Sequence, residues 1–192
     1  MPEYAKIKTW FEKDKHITFR VSGGAWGLTC NAIHHIDLLC YITGDSSGLV
    51  MNMDNLYPEI HNSKREGYIE LYGTIEGRTN SCKSFAIGSE QNNEPKTIIT
   101  IQSESRICII KEFEGKILYA SLENGWNFEE MDLKPLYQSQ ITATLFETIM
   151  NTGKCLLPDY HTAAQEHYPM IKGFNEYLSR ITGEEYKLCP IT

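Results

Sequence analysis

The sequence predicts an α+β domain with one large, open, predominantly antiparallel β-sheet and its helices on one face. Helical periodicity at both ends of the chain encloses a long central region of short, β-rich segments. Those segments are joined by short turns, which connect antiparallel strands because a parallel crossover needs about a dozen residues or more. The 192 residues contain no repeat, linker or low-complexity run, so we expect a single domain over 1–192.

The predicted elements follow from local patterns. Apolar residues recur at helical spacing over 2–13, alternate as in a strand over 17–21, and return to helical spacing from 28 until the glycine at position 44 ends the helix. Two further helices at 137–151 and 161–180 close the chain. The region between the helix that ends at position 44 and the helix at 137–151 contains seven β-rich segments, at 48–57, 67–75, 80–88, 96–104, 106–113, 116–122 and 126–133.

Composition and charge exclude several classes of protein. The formal net charge of −7 and a pI near 5.4 argue against a nucleic-acid surface, which needs a basic stripe. No apolar run approaches the roughly 20 residues that span a bilayer, and the N-terminus lacks a signal-peptide core. The six cysteines include no Cys-x-x-Cys pair, so we interpret them as reduced thiols of a cytoplasmic protein. We therefore expect no nucleic-acid, membrane or metal partner.

The candidate site lies in the stretch 22–45, a glycine-rich turn that leads directly into a helix. The predicted buried stripe of this helix comprises Leu28, Ala32, Ile36 and Leu39. Cys30, Asn31 and His34 fall together on a neighbouring face, because residues three and four apart on a helix are side by side. Gly24 has no Cβ, so backbone or a ligand can approach it closely. We expect Gly24, Cys30 and Asn31 to contact a substrate.

Two motifs carry a resemblance to a known family. Gly23-Gly24 is followed by a helix that bears His34-x-Ile36-Asp37-Leu38 and ends in Tyr41-Ile-Thr-Gly44. Leu157-Pro158-Asp-Tyr-His-Thr-Ala163-Ala164 opens the last helix. Together they resemble the C-terminal half of the glucose–fructose oxidoreductase, inositol dehydrogenase and rhizopine catabolism (Gfo/Idh/MocA) family. The resemblance covers nearly all of the chain, with strands in the number and order of that family's sheet domain.

The resemblance implies a dihydrodipicolinate-reductase-like C-terminal domain, which serves substrate binding and oligomerisation in a two-domain dehydrogenase. In the family it follows an N-terminal Rossmann domain that binds most of the NAD or NADP. That domain is absent from this chain, since Ser22-x-Gly24-x-x-Gly27 is not followed by the βαβ pattern that a dinucleotide fold requires. We therefore expect the substrate-binding half of a nicotinamide-dependent oxidoreductase for a sugar, polyol or sugar-derived compound, inactive alone.

The resemblance also implies roles for single residues. The family's histidine at the reacting hydroxyl carries over to His34, which we expect to be the catalytic acid/base. The family's aspartate four residues earlier is replaced by Cys30, so the carboxylate half of the pattern is missing. Asp37 lies one turn after His34, where it could hold the imidazole in place. The family's lysine belongs to the other domain.

Each assignment has a plainer alternative. His34 could be a packing histidine, Asp37 an exposed or helix-packing residue, and Cys30 a small buried hydrophobe. Trp26 either walls the substrate pocket or caps the entry to the helix. His35 lies about 100° around the helix from His34, so we expect it to contribute little.

The competing function is a non-catalytic oligomerisation or ligand-binding module derived from the same fold. Cys30 and the missing domain favour this module, whereas His34 and Asp37 favour catalysis. In both cases few helices are available to cover the sheet, so we expect a second copy on the open face, as a homodimer or homotetramer. Other expected partners are a small-molecule substrate and a separately encoded Rossmann domain.

Overall fold

The computed structural model describes residues 2–134, 136, 138–155 and 157–191. Its strands are β1 (Ile17–Ser22), β2 (Val50–Leu56), β3 (His61–Asn62), β4 (Ile69–Glu70), β5 (Gly73–Arg78), β6 (Cys82–Ser89), β7 (Ile98–Gln102), β8 (Arg106–Lys111), β9 (Lys116–Ser121) and β10 (Glu129–Asp132). Eight of them form one sheet in the order β10-β9-β8-β7-β1-β6-β5-β2, and β3 pairs with β4 separately.

The first strand in the chain lies in the middle of the sheet. β1 runs antiparallel to β7, with Phe19 opposite Ile101, and parallel to β6, with Phe19 opposite Phe85. The other neighbouring pairs of the large sheet are antiparallel, which confirms the predicted architecture. The single parallel pair is possible because a helix and four strands separate β1 from β6, which is ample length for a crossover.

The helices are α1 (Pro2–Phe11), α2 (Leu28–Thr43), α3 (Gln138–Thr152) and α4 (Tyr160–Thr182), with a short 3₁₀ turn at Glu112–Glu114. Helices α1, α2 and α4 share one hydrophobic core with a single face of the sheet, as predicted. The stripe predicted for α2 is fully buried in this core and comprises Leu28, Ala32, Ile36 and Leu39. Burial of a leucine or isoleucine side chain contributes about 1.5–3 kcal/mol, so this stripe fixes the orientation of α2.

Two predicted strands differ most from the structure. The segment at 67–75 divides into β4 and β5, with Gly73 at the start of β5 at a φ of 106°, which suits only glycine. The segment at 126–133 narrows to β10, because Trp126 has a φ of 63° and belongs to a turn. The predicted start of α3 at Tyr137 lies outside the described residues.

The last helix begins close to its predicted position. The Asp159 carboxylate accepts a hydrogen bond from the Thr162 N–H at 2.8 Å, which satisfies one of the free donors of the first turn.

The end of α2 at Gly44 is also confirmed, since this glycine has a φ of 70° and its N–H donates to the Cys40 carbonyl. No helix within the described ranges is long and apolar enough to cross a membrane.

Candidate functional site

The glycine turn before α2 is filled by the backbone of the loop between β6 and β7. The Gly24 N–H donates to the Pro95 carbonyl, and the Ala25 N–H donates to the Asn92 carbonyl, each at 2.7 Å. A Cβ on Gly24 would lie 2.2 Å from the Asn92 carbonyl oxygen, so this position requires glycine. The close approach expected from the sequence is thus made by the chain's own backbone, and a substrate contact at Gly24 stays a prediction.

The first turn of α2 is capped by a carboxylate from a distant strand. Gly27 occupies the N-cap position with a φ of 84° and offers no side chain to the helix. Glu70 of β4 is 8% exposed, and its carboxylate accepts hydrogen bonds from the N–H groups of Thr29 at 2.9 Å and Leu71 at 3.2 Å. A carboxylate stabilises this end of a helix because the free N–H groups and the helix dipole are positive there.

Trp26 and Asn31 both hold the turn onto the helix. The Trp26 indole N–H donates to the Gly88 carbonyl at 2.9 Å, and the Asn31 amide donates to the Trp26 carbonyl at 2.8 Å. The Trp26 ring also meets the His35 ring edge to face, with 4.9 Å between the ring centres. Contact of Trp26 and Asn31 with a substrate stays a prediction, and the partners that the structure gives them belong to this chain.

His35 is held in its neutral form. Burial, with a smaller contribution from the neighbouring His34, lowers the pKa of His35 to about 4. A neutral imidazole donates one hydrogen bond and accepts one. His35 lines the cleft described next, so its donor and its acceptor are available for contact with a bound molecule. Its position around the helix from His34 did not suggest this role.

His34 and Asp37 line an open cleft of about 670 Å³ between α1, α2 and the start of α4. Both residues are exposed, in contrast to the half-buried or buried residues of the turn. The volume lies within the range of small-molecule sites, about 300–1,000 Å³. Other polar groups on its walls are Lys8, Asp45, Glu112, Thr162 and Glu166.

The predicted site residues therefore fall into two groups. His34 and Asp37 line the cleft, whereas Gly24, Trp26 and Asn31 organise the turn that leads into α2. The structure brings the first group together with polar residues of α1 and α4. It ties Gly24 to the loop between β6 and β7, Trp26 to β6, and Asn31 to Trp26. The second group therefore lies in the turn and the first residues of α2, and the first group follows it on the helix.

The cysteines are all free in the structure. Cys30 is half-buried and lies one turn before His34 on α2. Its position leaves no carboxylate on the helix at the place where the family resemblance implies one. Within the described part of the chain, no group of three or more His, Cys, Asp or Glu side chains is arranged to hold a metal ion.

Two carboxyl groups lie near each other where α4 packs against α2. Glu166 is only 3% exposed, and burial raises its pKa, with a further increase from the charge of Asp37. Burial also raises the pKa of Asp37, an effect that His34 and His167 partly oppose. The Cys40 thiol hydrogen-bonds to Glu166. Both carboxyl groups therefore retain a proton to higher pH than a freely solvated carboxyl group does.

Glu166 is a residue that sequence reasoning missed. It continues a buried stripe of α4 in which Met170, Phe174 and Leu178 follow at intervals of four residues. Charged residues are rarely buried, so a glutamate in such a stripe is a signal that the sequence did contain. Glu70 offers no comparable signal, because it reaches α2 from 41 residues away in the chain.

The wall of the cleft formed by α1 carries a lysine. The Lys8 Nζ lies 4.4 Å from the centre of the Tyr41 ring, which is the geometry of a cation–π contact. Nearby, the Tyr4 hydroxyl donates a hydrogen bond to the Glu112 carboxylate. Burial raises the pKa of Tyr4 above its usual range, and the charge of Glu112 adds to the effect. This tyrosine therefore stays protonated and is a hydrogen-bond donor on the α1 side.

The chain resembles known proteins in structure and not in sequence. No family model matches the sequence, and no curated protein matches it. UDP-N-acetylglucosamine 3-dehydrogenase GnnA from Acidithiobacillus ferrooxidans superimposes with a TM-score of 0.67 at 12% identity, over 94% of this chain and 58% of its own. Levoglucosan dehydrogenase, in complex with NADH and levoglucosan, gives 0.62 at 13% identity, over 93% of this chain and 60% of its own. The chain has the fold of the C-terminal domain of Gfo/Idh/MocA oxidoreductases.

This Gfo/Idh/MocA fold is not confined to proteins whose names describe dehydrogenases. The super-repressor mutant of Gal80p from Saccharomyces cerevisiae superimposes with a TM-score of 0.63 at 13% identity, over 94% of this chain and 61% of its own. The chain thus spans about three fifths of the length of each of these proteins. At 12–13% identity, the likeness establishes the fold and leaves the chemistry to be argued from the cleft.

Proposed function

We propose that the chain is the substrate-binding half of a nicotinamide-dependent oxidoreductase that acts on a sugar, a polyol or a sugar-derived compound. The observation that carries the proposal is the placement of His34, an exposed histidine in the wall of a cleft of about 670 Å³ with Asp37 beside it. Histidine is the side chain best suited to take up and release a proton near neutral pH. The fold shared with dehydrogenases adds support by analogy.

The chemistry of the cleft walls suits a molecule with several hydroxyl groups. Asp37, Asp45 and Glu166 supply carboxyl oxygens, and His35 supplies one donor and one acceptor. Lys8 adds a cation on the α1 side. Directional donors and acceptors spread over opposite walls are what a polyol needs for a fixed orientation.

The nicotinamide cofactor belongs to a domain other than this one. In the described residues, the glycine turn before α2 does not form a dinucleotide cradle, because the backbone carbonyls of Asn92 and Pro95 already accept from its N–H groups. When bound, such a cofactor exchanges a hydride with the substrate carbon. The role of this chain is to bind and orient the substrate and, through His34, to move the proton of the hydroxyl that becomes a carbonyl.

The rival function is a non-catalytic ligand-binding or oligomerisation module. Cys30 in place of a carboxylate favours it, and Gal80p is named a repressor although it shares the fold. The exposed His34 favours catalysis, because histidine is the side chain best suited to proton transfer near neutral pH. The free thiols favour a cytoplasmic location, which is compatible with both functions.

The deciding experiment joins the chain to a nicotinamide-binding domain, taken from the sequence upstream of it or from a separately encoded partner. The joined protein is assayed for oxidation of a panel of sugars and polyols with NAD and with NADP. Turnover of a panel member supports the oxidoreductase, and ligand binding without turnover supports the rival. We also expect calorimetry to detect no micromolar binding of NADH or NADPH to this chain alone.

We further propose that the chain self-associates, as a homodimer or homotetramer, through the sheet face opposite the helices. Cys108 and Ile110 of β8 point into the core, so the alternate residues Ile107 and Ile109 face outward. Leu118 of β9 lies directly opposite Ile109 on the same outward face. Sedimentation at micromolar concentration should show a dimer or tetramer, which Ile109→Lys should dissociate. A monomer of 22.0 kDa from the unmodified chain would contradict this proposal.

A further inference from the structure

We propose that Glu166 and Asp37 act as a carboxyl pair that receives the proton from His34, in place of the carboxylate that position 30 lacks. The inference rests on the proposed function, since it assigns the route of the proton in that reaction. Asp37 is a positioning and relay residue next to His34, and Glu166 acts through Asp37.

The placement of the three residues suits a relay. Asp37 follows His34 by three positions on α2, so the two side chains are neighbours on the helix surface. Glu166 approaches from α4, and all three residues line the same cleft. Asp37 lies within electrostatic range of both His34 and Glu166.

Glu166 is costly as a purely structural residue. It is 3% exposed and, among the residues that the structure describes, no lysine or arginine forms an ion pair with it or with Asp37. A buried carboxylate beside a like charge is destabilising unless it is protonated or paired. Such arrangements concentrate at functional sites, where a perturbed proton affinity is used.

Burial and the neighbouring charges together set the proton affinity of the two carboxyl groups. Burial raises the pKa of both carboxyl groups, and the charge of Asp37 raises that of Glu166 further. His167 lies on the α4 side and opposes both increases, as His34 does for Asp37 from the α2 side. The Cys40 thiol faces Glu166 as a hydrogen-bond donor and remains protonated, since burial raises its pKa.

The proposed step balances in protons and electrons. The O–H bond of the substrate hydroxyl breaks, and its proton moves to the His34 imidazole while the carbonyl forms. The hydrogen of the adjacent C–H bond leaves with its electron pair as hydride, which is the part already assigned to the nicotinamide cofactor. The imidazolium then passes its proton through an intervening water molecule to Asp37, the pair with Glu166 holds it, and bulk water removes it before the next turnover.

A first test measures the coupling directly in this chain. The carboxyl carbons of Glu166 and Asp37 are followed by ¹³C NMR as a function of pH in the unmodified chain, in Asp37→Asn and in Glu176→Gln. Glu176 is the matched control, since it is an exposed glutamate of the same helix. We expect the Glu166 titration midpoint to fall in Asp37→Asn and to stay unchanged in Glu176→Gln. A Glu166 midpoint that does not respond to Asp37→Asn would overturn the pair.

A second test uses the joined enzyme. We expect Glu166→Gln to lower kcat by about tenfold, below the 10²–10⁴-fold effect of a group that contacts the reacting atoms, and to shift the pH–rate profile. Glu166→Asp should restore part of the activity, and Glu176→Gln should match the unmodified enzyme. An active enzyme whose profile is unchanged by Glu166→Gln would reject the relay alone. An inactive joined enzyme with the NMR coupling intact would reject the proposed function instead.

Discussion

The start and the middle of α2 differ in how their polar groups are satisfied. At the N-terminal end, the Gly24 N–H, the Asn31 amide and the Thr29 N–H each donate to a group of this chain, and the last partner is the buried Glu70 carboxylate. Two turns further along, His34 and Asp37 are exposed to an open cleft, and neither forms an ion pair within the described ranges. One segment is internally complete, and the other is open to a ligand.

One sequence motif therefore contains two sets of residues, a structural half that positions the helix and a chemical half that faces the cleft. The double glycine and the residues that follow it position the helix, and the histidine and aspartate after them face the cleft. The residue types alone do not show which residues belong to which half, since Asn31 and His34 are equally able to bind a hydroxyl group. The hydrogen-bond partners in the structure distinguish the two halves. The structural half should therefore respond to mutation in stability, and the chemical half in activity.

The largest effect on stability is expected at the glycine turn. In Gly24→Ala the new Cβ would lie 2.2 Å from the Asn92 carbonyl oxygen and 2.6 Å from the Asn93 carbonyl carbon, so backbone must move. We expect a loss of about 3 kcal/mol in the free energy of unfolding, measured with urea. Gly173→Ala is the control, because its nearest neighbour is the flexible end of Met53 and alanine favours a helix. A loss below about 1 kcal/mol in Gly24→Ala would show that the turn is not constrained.

A smaller effect is expected at the remote cap of α2. Glu70→Ala removes the acceptor of the Thr29 and Leu71 N–H groups and should cost about 2 kcal/mol. Glu70→Gln keeps an acceptor oxygen and loses only the charge at the helix end, so about 1 kcal/mol is expected. The exposed Glu66 provides the control, and Glu66→Ala should be neutral. Equal effects of Glu70→Ala and Glu66→Ala would contradict the capping role.

The smallest of these effects depends on pH. The pKa of His35 is lowered to about 4 by burial, so between pH 6.5 and 4 the unfolded chain binds a proton that the folded chain does not. Stability is therefore lost as pH falls through this window, by about 1.5 kcal/mol once solvent screening of the partly exposed ring is allowed for. His35→Phe should remove this loss and His161→Phe, at an exposed position, should not. An equal loss of stability with falling pH in His35→Phe and in the unmodified chain would contradict the lowered pKa of His35.

How much the sequence could predict depended on the range of the interactions. The strands and the buried stripe of α2 were predictable because alternation and helical spacing are local patterns. The parallel pairing of β1 with β6 was not, since it joins two strands that a helix and four other strands separate in the chain. The same limit applies to Glu70, which reaches α2 from a distant part of the chain. His34 and Asp37 were proposed from the sequence because both belong to one short helical motif, and both line the cleft in the structure.

The most direct test of the account measures activity and stability together in His34→Ala of the joined enzyme. We expect kcat to fall by 10²–10⁴-fold, because general acid–base groups contribute about that much. The free energy of unfolding should change by less than about 0.5 kcal/mol, because the side chain is exposed and lies outside the core. An unchanged kcat with an unchanged pH–rate profile near neutrality would contradict the account and leave His34 without a chemical role.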